Sequence, residues 1–176
     1  MEEQEFEQVT VKQVSMKWGA ITAMIMIIYG LILHFAGLSG NQSLSYVNYL
    51  FLVVCIYLAQ KSFKDEGDGF MGYGQGLGIG SLTTLIGGAI SMVFSYLYVK
   101  FVDDSIIQIA MDTQYEKLVE KGMSEDQIDK VMDMSSAFMA PEVMFPIAFV
   151  FMMFIGFIIS LIVSAITKNN NPAMEV

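Results

Sequence analysis

FVDDSIIQIAMDTQYEKLVEKGMSEDQIDKVMDMSSAFMAPE, residues 101–142, is the one long interruption in a chain otherwise built from apolar runs. It holds ten carboxylates against three lysines, Lys117, Lys121 and Lys130. Around it lie four apolar runs, residues 16–37, 44–60, 73–99 and 143–167. A helix needs about 20 apolar residues to cross a hydrocarbon core of about 30 Å. Lipid cannot satisfy an open backbone, so each run must be helical. The pattern predicts an all-α, four-helix polytopic transmembrane protein with an amphipathic helical hairpin between spans three and four. Residues 1–15 read as an acidic N-terminal arm, 16–102 as spans one to three, 103–142 as the extramembrane hairpin and 168–176 as a tail.

Within the interruption, residues 105–121 read as one helix, with Ile107, Met111, Tyr115 and Leu118 on a face. Gly122 is a helix stop. The run Ser124-Glu125-Asp126-Gln127 fits a capping box, in which the Ser hydroxyl bonds the amide three residues on and Gln127 bonds back. Apolar residues then follow at helical spacing, and Ile128, Val131, Met132 and Phe138 are the expected interaction face. Glu125, Asp126, Asp129 and Asp133 share the opposite side, and Pro141 closes the segment. Helices this short and charged are not stable alone. Their apolar stripes must dock on each other, on the ends of the spans, or on a partner.

Composition agrees with a membrane setting. Hydrophobic residues make up 55% of the chain, mean hydropathy is +0.55 and only 15% of residues are charged, where a soluble domain carries about 25%. The net charge is -9 and every basic residue is Lys. Without a basic patch or Arg, nucleic-acid binding is excluded. Cys55 is alone, so no intrachain disulfide forms. The N-terminus lacks the basic segment and small-residue cleavage site of a signal peptide, so the first run is expected to remain. Phe6, Val9, Val11 and Val14 are spaced for a short interfacial helix, although a frayed acidic tail is the simpler reading.

Lysine placement gives an orientation. Lys12, Lys17, Lys61, Lys64 and Lys168 fall on one side, while on the other only Lys100 abuts a span. Both termini are therefore expected in the cytoplasm, with the acidic hairpin outside. Trp18, Tyr29, Tyr46, Tyr96 and Tyr98 partly agree with aromatic anchoring at span ends.

Small residues recur at helical spacing within the membrane. Gly76, Gly80, Thr84 and Gly88 form one stripe of run three, and Gly87, Ser91 and Ser95 an adjacent one. Run four answers with Gly156, Ser160 and Ser164. Such spacing lets helix backbones approach closely, so packing is the expected role, ahead of a polar pathway lining. Pro146 is tolerated near the start of run four. No span carries an ionisable residue at its middle, which transport paths usually need. His34, near the end of run one, reads as an interface residue.

Other motifs fail on context. Gly72-Tyr73-Gly74 lacks the Thr-Val lead-in and pore helix of a potassium filter, and no glycine trio has phosphate-loop spacing. Those glycines read instead as a flexible approach to run three. Asn41-Gln42-Ser43 matches a glycosylation acceptor but lies too close to the membrane. The hairpin carboxylates lack EF-hand spacing, and solvated helix faces explain them more simply. No catalytic motif is present, and no cofactor or metal is expected.

Several stretches together resemble the bacterial membrane family known as domain of unknown function 4199. They are Lys17-Trp18-Gly19, Ala59-Gln60-Lys61, Tyr73-Gly74-Gln75-Gly76 with Gly80, Ser95-Tyr96-Leu97-Tyr98 before Phe101-Val102-Asp103, Gly122-Met123-Ser124-Glu125 with Gln127, and Gly156 with Ser160-Leu161-Ile162 and Lys168. Asp104 stands where relatives often have Pro. The resemblance implies a four-span inner-membrane protein of Gram-negative bacteria and implies no activity.

Three functions are in competition. The leading expectation is a non-enzymatic membrane protein whose hairpin contacts a membrane-protein partner, a second copy or the lipid bilayer surface. The others are a small oligomeric transporter or channel, and a membrane enzyme acting on lipid or an envelope substrate.

Overall fold

The protein was analysed as a computed structural model that describes residues 9–171. Helix α1 (Val11–Phe35) opens on Thr10, whose hydroxyl accepts the Gln13 amide at 3.2 Å while the Gln13 side chain accepts the Thr10 amide at 3.0 Å. This reciprocal cap starts the helix five residues before the apolar run, so residues 11–15 are part of helix α1. The reason is packing. Val14 is 1% exposed and sits with Ala59, Phe63, Met71 and Ile79, and Val9, Val11 and Trp18 pack against that cluster. Phe6 lies outside the described residues.

After Gly37, which ends α1 at a positive φ of 70°, a short helix α2 (Gln42–Ser45) is capped by Asn41, whose side chain accepts the amides of Ser43 and Leu44. Helix α3 (Val47–Glu66) runs six residues past the apolar stretch that ends at Gln60. Lys61, Lys64 and Asp65 continue the helix past the apolar stretch because nothing in their backbone preference stops it. Helix α4 (Tyr73–Phe101) begins directly at Tyr73, with the Gln75 side chain accepting the Gly72 amide at 2.8 Å. Gly74, Gly76, Gly78 and Gly80 are therefore helical rather than a loose approach.

The interruption forms helices α5 (Ser105–Glu120) and α6 (Glu125–Met139), separated by Gly122 at φ 73°. The Gln127 arm of the expected box is formed, its side chain accepting the Ser124 amide at 3.1 Å. Helix α7 (Pro141–Thr167) follows after one residue. Pro141 opens this helix instead of closing the hairpin, since its absent N–H falls where a helix start has no acceptor to offer. Pro146 consequently lies inside α7.

Four of these segments, Val11–Phe35, Gln42–Glu66, Tyr73–Phe101 and Pro141–Thr167, are long and apolar enough to cross a membrane. The fold is all-α with four spans, and α4 is the central one. On one side it meets α1: Ser15 donates to the Ile79 carbonyl at 3.3 Å, and Gly19 and Thr22 press on Gly87. On the other side it meets α7, and α3 packs against α1, α4 and α7. Opposite the hairpin, Met71 and Asn169 exchange two backbone hydrogen bonds of 2.9 Å, tying the α3–α4 connection to the chain beyond α7. Lys17 pairs with Glu66 at the same end, 2.7 Å apart.

Candidate functional site

Polar groups gather in two places, a buried clamp at the Lys17 end and the hairpin seat at the other. The clamp centres on Gln60, which is fully buried. Its side-chain amide donates to the Gly76 carbonyl and to Ser164 Oγ, both at 2.9 Å, and its oxygen accepts from the Thr167 hydroxyl. Lys64 adds a bond to the Thr167 carbonyl at 3.0 Å. All donor and acceptor sites of Gln60 that a dry interior would penalise are thereby engaged. The residue ties α3, α4 and α7 together.

The stripe expected to pack does meet small residues of α7. A Cβ built at Gly80 would lie 2.8 Å from Ser160 Cβ, and one at Gly76 would lie 3.1 Å from Ser164 Cβ. One at Gly156 would sit 2.9 Å from Thr84 Cβ. Gly88 differs, because its neighbours are Phe149 and Met152. Thr84 and Ser160 return their hydroxyls to the carbonyls four residues back, Gly80 and Gly156, so no unpaired hydroxyl remains at those two positions. Of the adjacent stripe, Gly87 faces α1, and the Ser91 hydroxyl is buried with no hydrogen-bond partner among the described residues.

At the hairpin end, α5 and α6 close on Leu118 and Ile128, the latter 3% exposed. Gln114 bonds Ser135 across them at 2.7 Å. The four residues expected to share a face divide here. Ile128 is buried, Val131 and Met132 are half-buried, and Phe138 is 63% exposed. The cause is angular. At about 100° per residue, Ser135 returns to the bearing of Ile128, whereas Met134 and Phe138 lie roughly 80–120° round the helix.

The hairpin is seated on the bundle, not suspended from it. Gly40, in the α1–α2 connection, approaches Thr113 and Ile109 so closely that a Cβ there would lie 3.2–3.3 Å from their side chains. Lys117 donates to the Gln42 side chain at 2.9 Å. Between α5 and this connection runs an open groove of about 420 Å³. At the base of α5, His34 Nε2 lies 2.9 Å from Asp103 Oδ2, and the His34 ring meets Tyr98 edge-on at 5.7 Å. His34 Nδ1 is buried without a partner among the described residues. The Ser105 backbone amide, then its hydroxyl, then His34, hold the Asp103 carboxyl below the ordinary carboxylate range. Where the chain leaves α4 and enters α7, Lys100 pairs with Glu142 at 2.8 Å and also contacts Tyr96.

Sequence reasoning passed over Gln60, the α1 stripe and the Asp103 partner of His34. Ser15, Gly19 and Ala23 recur every fourth residue, which was a usable signal. Gln60 and Asp103 carry no local pattern, since their partners come from distant segments. No group of three or more His, Cys, Asp or Glu is placed to hold a metal among the described residues.

No curated protein and no solved structure matches this chain. A family model described as "Protein of unknown function (DUF4199)" matches residues 17–169. That span runs from Lys17 in α1 to Asn169 just beyond α7 and takes in α1 from Lys17 onward, the other three long apolar helices and the hairpin, so the chain belongs to the DUF4199 family.

Proposed function

We propose that this is a non-enzymatic integral protein of the bacterial inner membrane, with both termini cytoplasmic and the hairpin acting outside in interaction or assembly. One observation carries the reading: the hairpin is fixed on the bundle yet leaves two apolar i, i+4 pairs uncovered. Tyr115 and Val119 on α5 are 44% and 51% exposed, and Met134 and Phe138 on α6 are 73% and 63% exposed. A pre-ordered apolar surface loses little conformational entropy when a partner covers it. The partner is a second copy or another membrane protein.

Photo-crosslinking amino acids placed at Val119, Met134 and Phe138 in native membranes test this. Discrete adducts are expected there and not from Asp112 or Glu116 on α5. Co-expression of two differently tagged copies identifies a self-contact. No adduct from any apolar position, or equal labelling at the acidic controls, removes the proposal.

A second reading, a small oligomeric transporter, draws support from the buried hydroxyls of Ser81, Thr83 and Ser91, which have no hydrogen-bond partner among the described residues. Solute flux into proteoliposomes separates it from the first.

A further inference from the structure

The groove between α5 and the α1–α2 connection has a chemistry at odds with the segment that builds it. Residues 100–142 carry ten carboxylates, yet none of them lines the groove. Its floor is apolar, from Ile106, Ile109 and Ala110 on α5. Its polar lining includes Gln42, Gln114 and Lys117, with Ser39 and with Ser45, whose hydroxyl donates to the Asn41 carbonyl at 3.3 Å. The Lys117 ammonium meets only a neutral oxygen, that of Gln42, and forms no ion pair among the described residues. The Gln42 and Gln114 amides each donate one hydrogen elsewhere, to Tyr46 Oη at 3.0 Å and Ser135 Oγ at 2.7 Å, and keep one. With the Lys117 cation and no carboxylate in the lining, they complement a group that carries negative charge and accepts hydrogen bonds.

Position narrows the ligand further. Gln42 and Ser45, which line the groove, stand in the first turn of the segment Gln42–Glu66, which is long and apolar enough to cross a membrane. Leu38 and Tyr46, chain neighbours of Ser39 and Ser45, are exposed. A groove at the first turn of such a segment is within reach of lipid headgroups, and a volume of about 420 Å³ falls within the usual range for a small-molecule site.

We propose that this groove binds the headgroup of an anionic phospholipid from the surrounding bilayer. Its phosphate lies at Lys117, and its chains run down the exposed faces of α1 and α4. This reading is independent of whether the uncovered side of the hairpin meets a partner.

Native mass spectrometry of the full chain, released from dodecyl maltoside micelles, tests the proposal. Phosphatidylglycerol and phosphatidylcholine are offered at equal concentration, with free glycerol 3-phosphate as a third arm. Wild type should retain phosphatidylglycerol over phosphatidylcholine by up to about fivefold, the scale of one exposed charge pair. Lys117→Gln removes the cation but keeps a donor for Gln42, and should erase the preference. Lys121→Gln removes an exposed charge outside the groove and should preserve it. Ala110→Trp fills the floor and should reduce retention of both lipids, with hairpin protease resistance confirming that the fold is kept. Equal retention of both lipids by wild type overturns the proposal. So does an unchanged preference in Lys117→Gln, or an equal loss in Lys121→Gln. Competition by free glycerol 3-phosphate at equal concentration overturns the lipid as source.

Discussion

Replacing Gly156 with Ala puts a methyl group where Thr84 already stands. The added Cβ would press on Thr84 Cγ2 and lie 2.6 Å from its Oγ1 and 2.9 Å from its Cβ. Carbon atoms in contact sit about 3.5–4.0 Å apart, so even the approach to Thr84 Cβ is short by about 0.6–1.1 Å. Thr84 cannot swing aside freely, because it is β-branched and its hydroxyl is bonded to the Gly80 carbonyl at 2.9 Å. Helices α4 and α7 must separate instead. Overpacking of this kind costs about 1–3 kcal/mol, and the helix preference of Ala over Gly offsets at most about 1 kcal/mol. The clash term is isolated by a double-mutant cycle with Thr84→Gly, which removes all three of the nearest atoms. The double variant should be more stable than the sum of the single effects by about 1–3 kcal/mol. Reversible unfolding in mixed detergent and dodecyl sulfate micelles can be followed by fluorescence of Trp18, the only tryptophan, which packs against the core cluster around Val14. Additivity within about 0.5 kcal/mol would refute close contact of α4 and α7 at this level.

Gln60→Leu should destabilise the bundle by about 2 kcal/mol in the same assay, since interhelical hydrogen bonds in membranes average about 0.6 kcal/mol and Gln60 makes three. Thr10→Ala should cost about 1 kcal/mol through loss of the α1 cap, and an unchanged midpoint would mean that the box contributes nothing. The Asp103 carboxyl has a lowered pKa in the folded state, so its contribution is full above about pH 4, the unfolded value, and is lost as pH falls through the folded one. Amide exchange at the base of α5, corrected for intrinsic rates, should therefore quicken as pH falls below 4, while Asp103→Asn abolishes that acid step. For the proposed orientation, alkaline phosphatase fused after Lys121 should be active and a fusion after Asp65 inactive, and the reverse result would invert the topology.

How much could be read from the chain depended on whether the cause was local. Lipid imposes its demand on every backbone group of a span, so the four runs were visible from composition alone. Gly122 and Gln127 marked the hairpin turn because a positive φ and a helix start each have specific residue requirements. Helix ends were harder to place. The α1 start depends on Thr10 and Gln13, outside the apolar run, and α3 continues through Lys61 and Lys64 because charge ends a hydrophobic run without ending a helix. Phe138 was grouped with Ile128 as following at helical spacing, though ten residues at about 100° each turn it outward. His34 and Asp103 are 69 residues apart, and Gln60 and Ser164 are 104 apart. Only the packed arrangement of the spans brings such pairs together, and no spacing rule registers it.

The Lys100–Glu142 pair has a consequence for how the molecule can change. The chain leaves α4 and enters α7 at two residues whose side chains touch, 2.8 Å apart. Everything between them is an excursion that starts and finishes at one place. A linker of about six residues reaches about 20 Å when extended, enough to close that gap. The intervening forty or so residues are thus a detachable cassette. The contacts between the spans lie outside this cassette, so exchanging it forfeits its seat on Gly40, Gln42 and His34 while the span-to-span contacts stay in place.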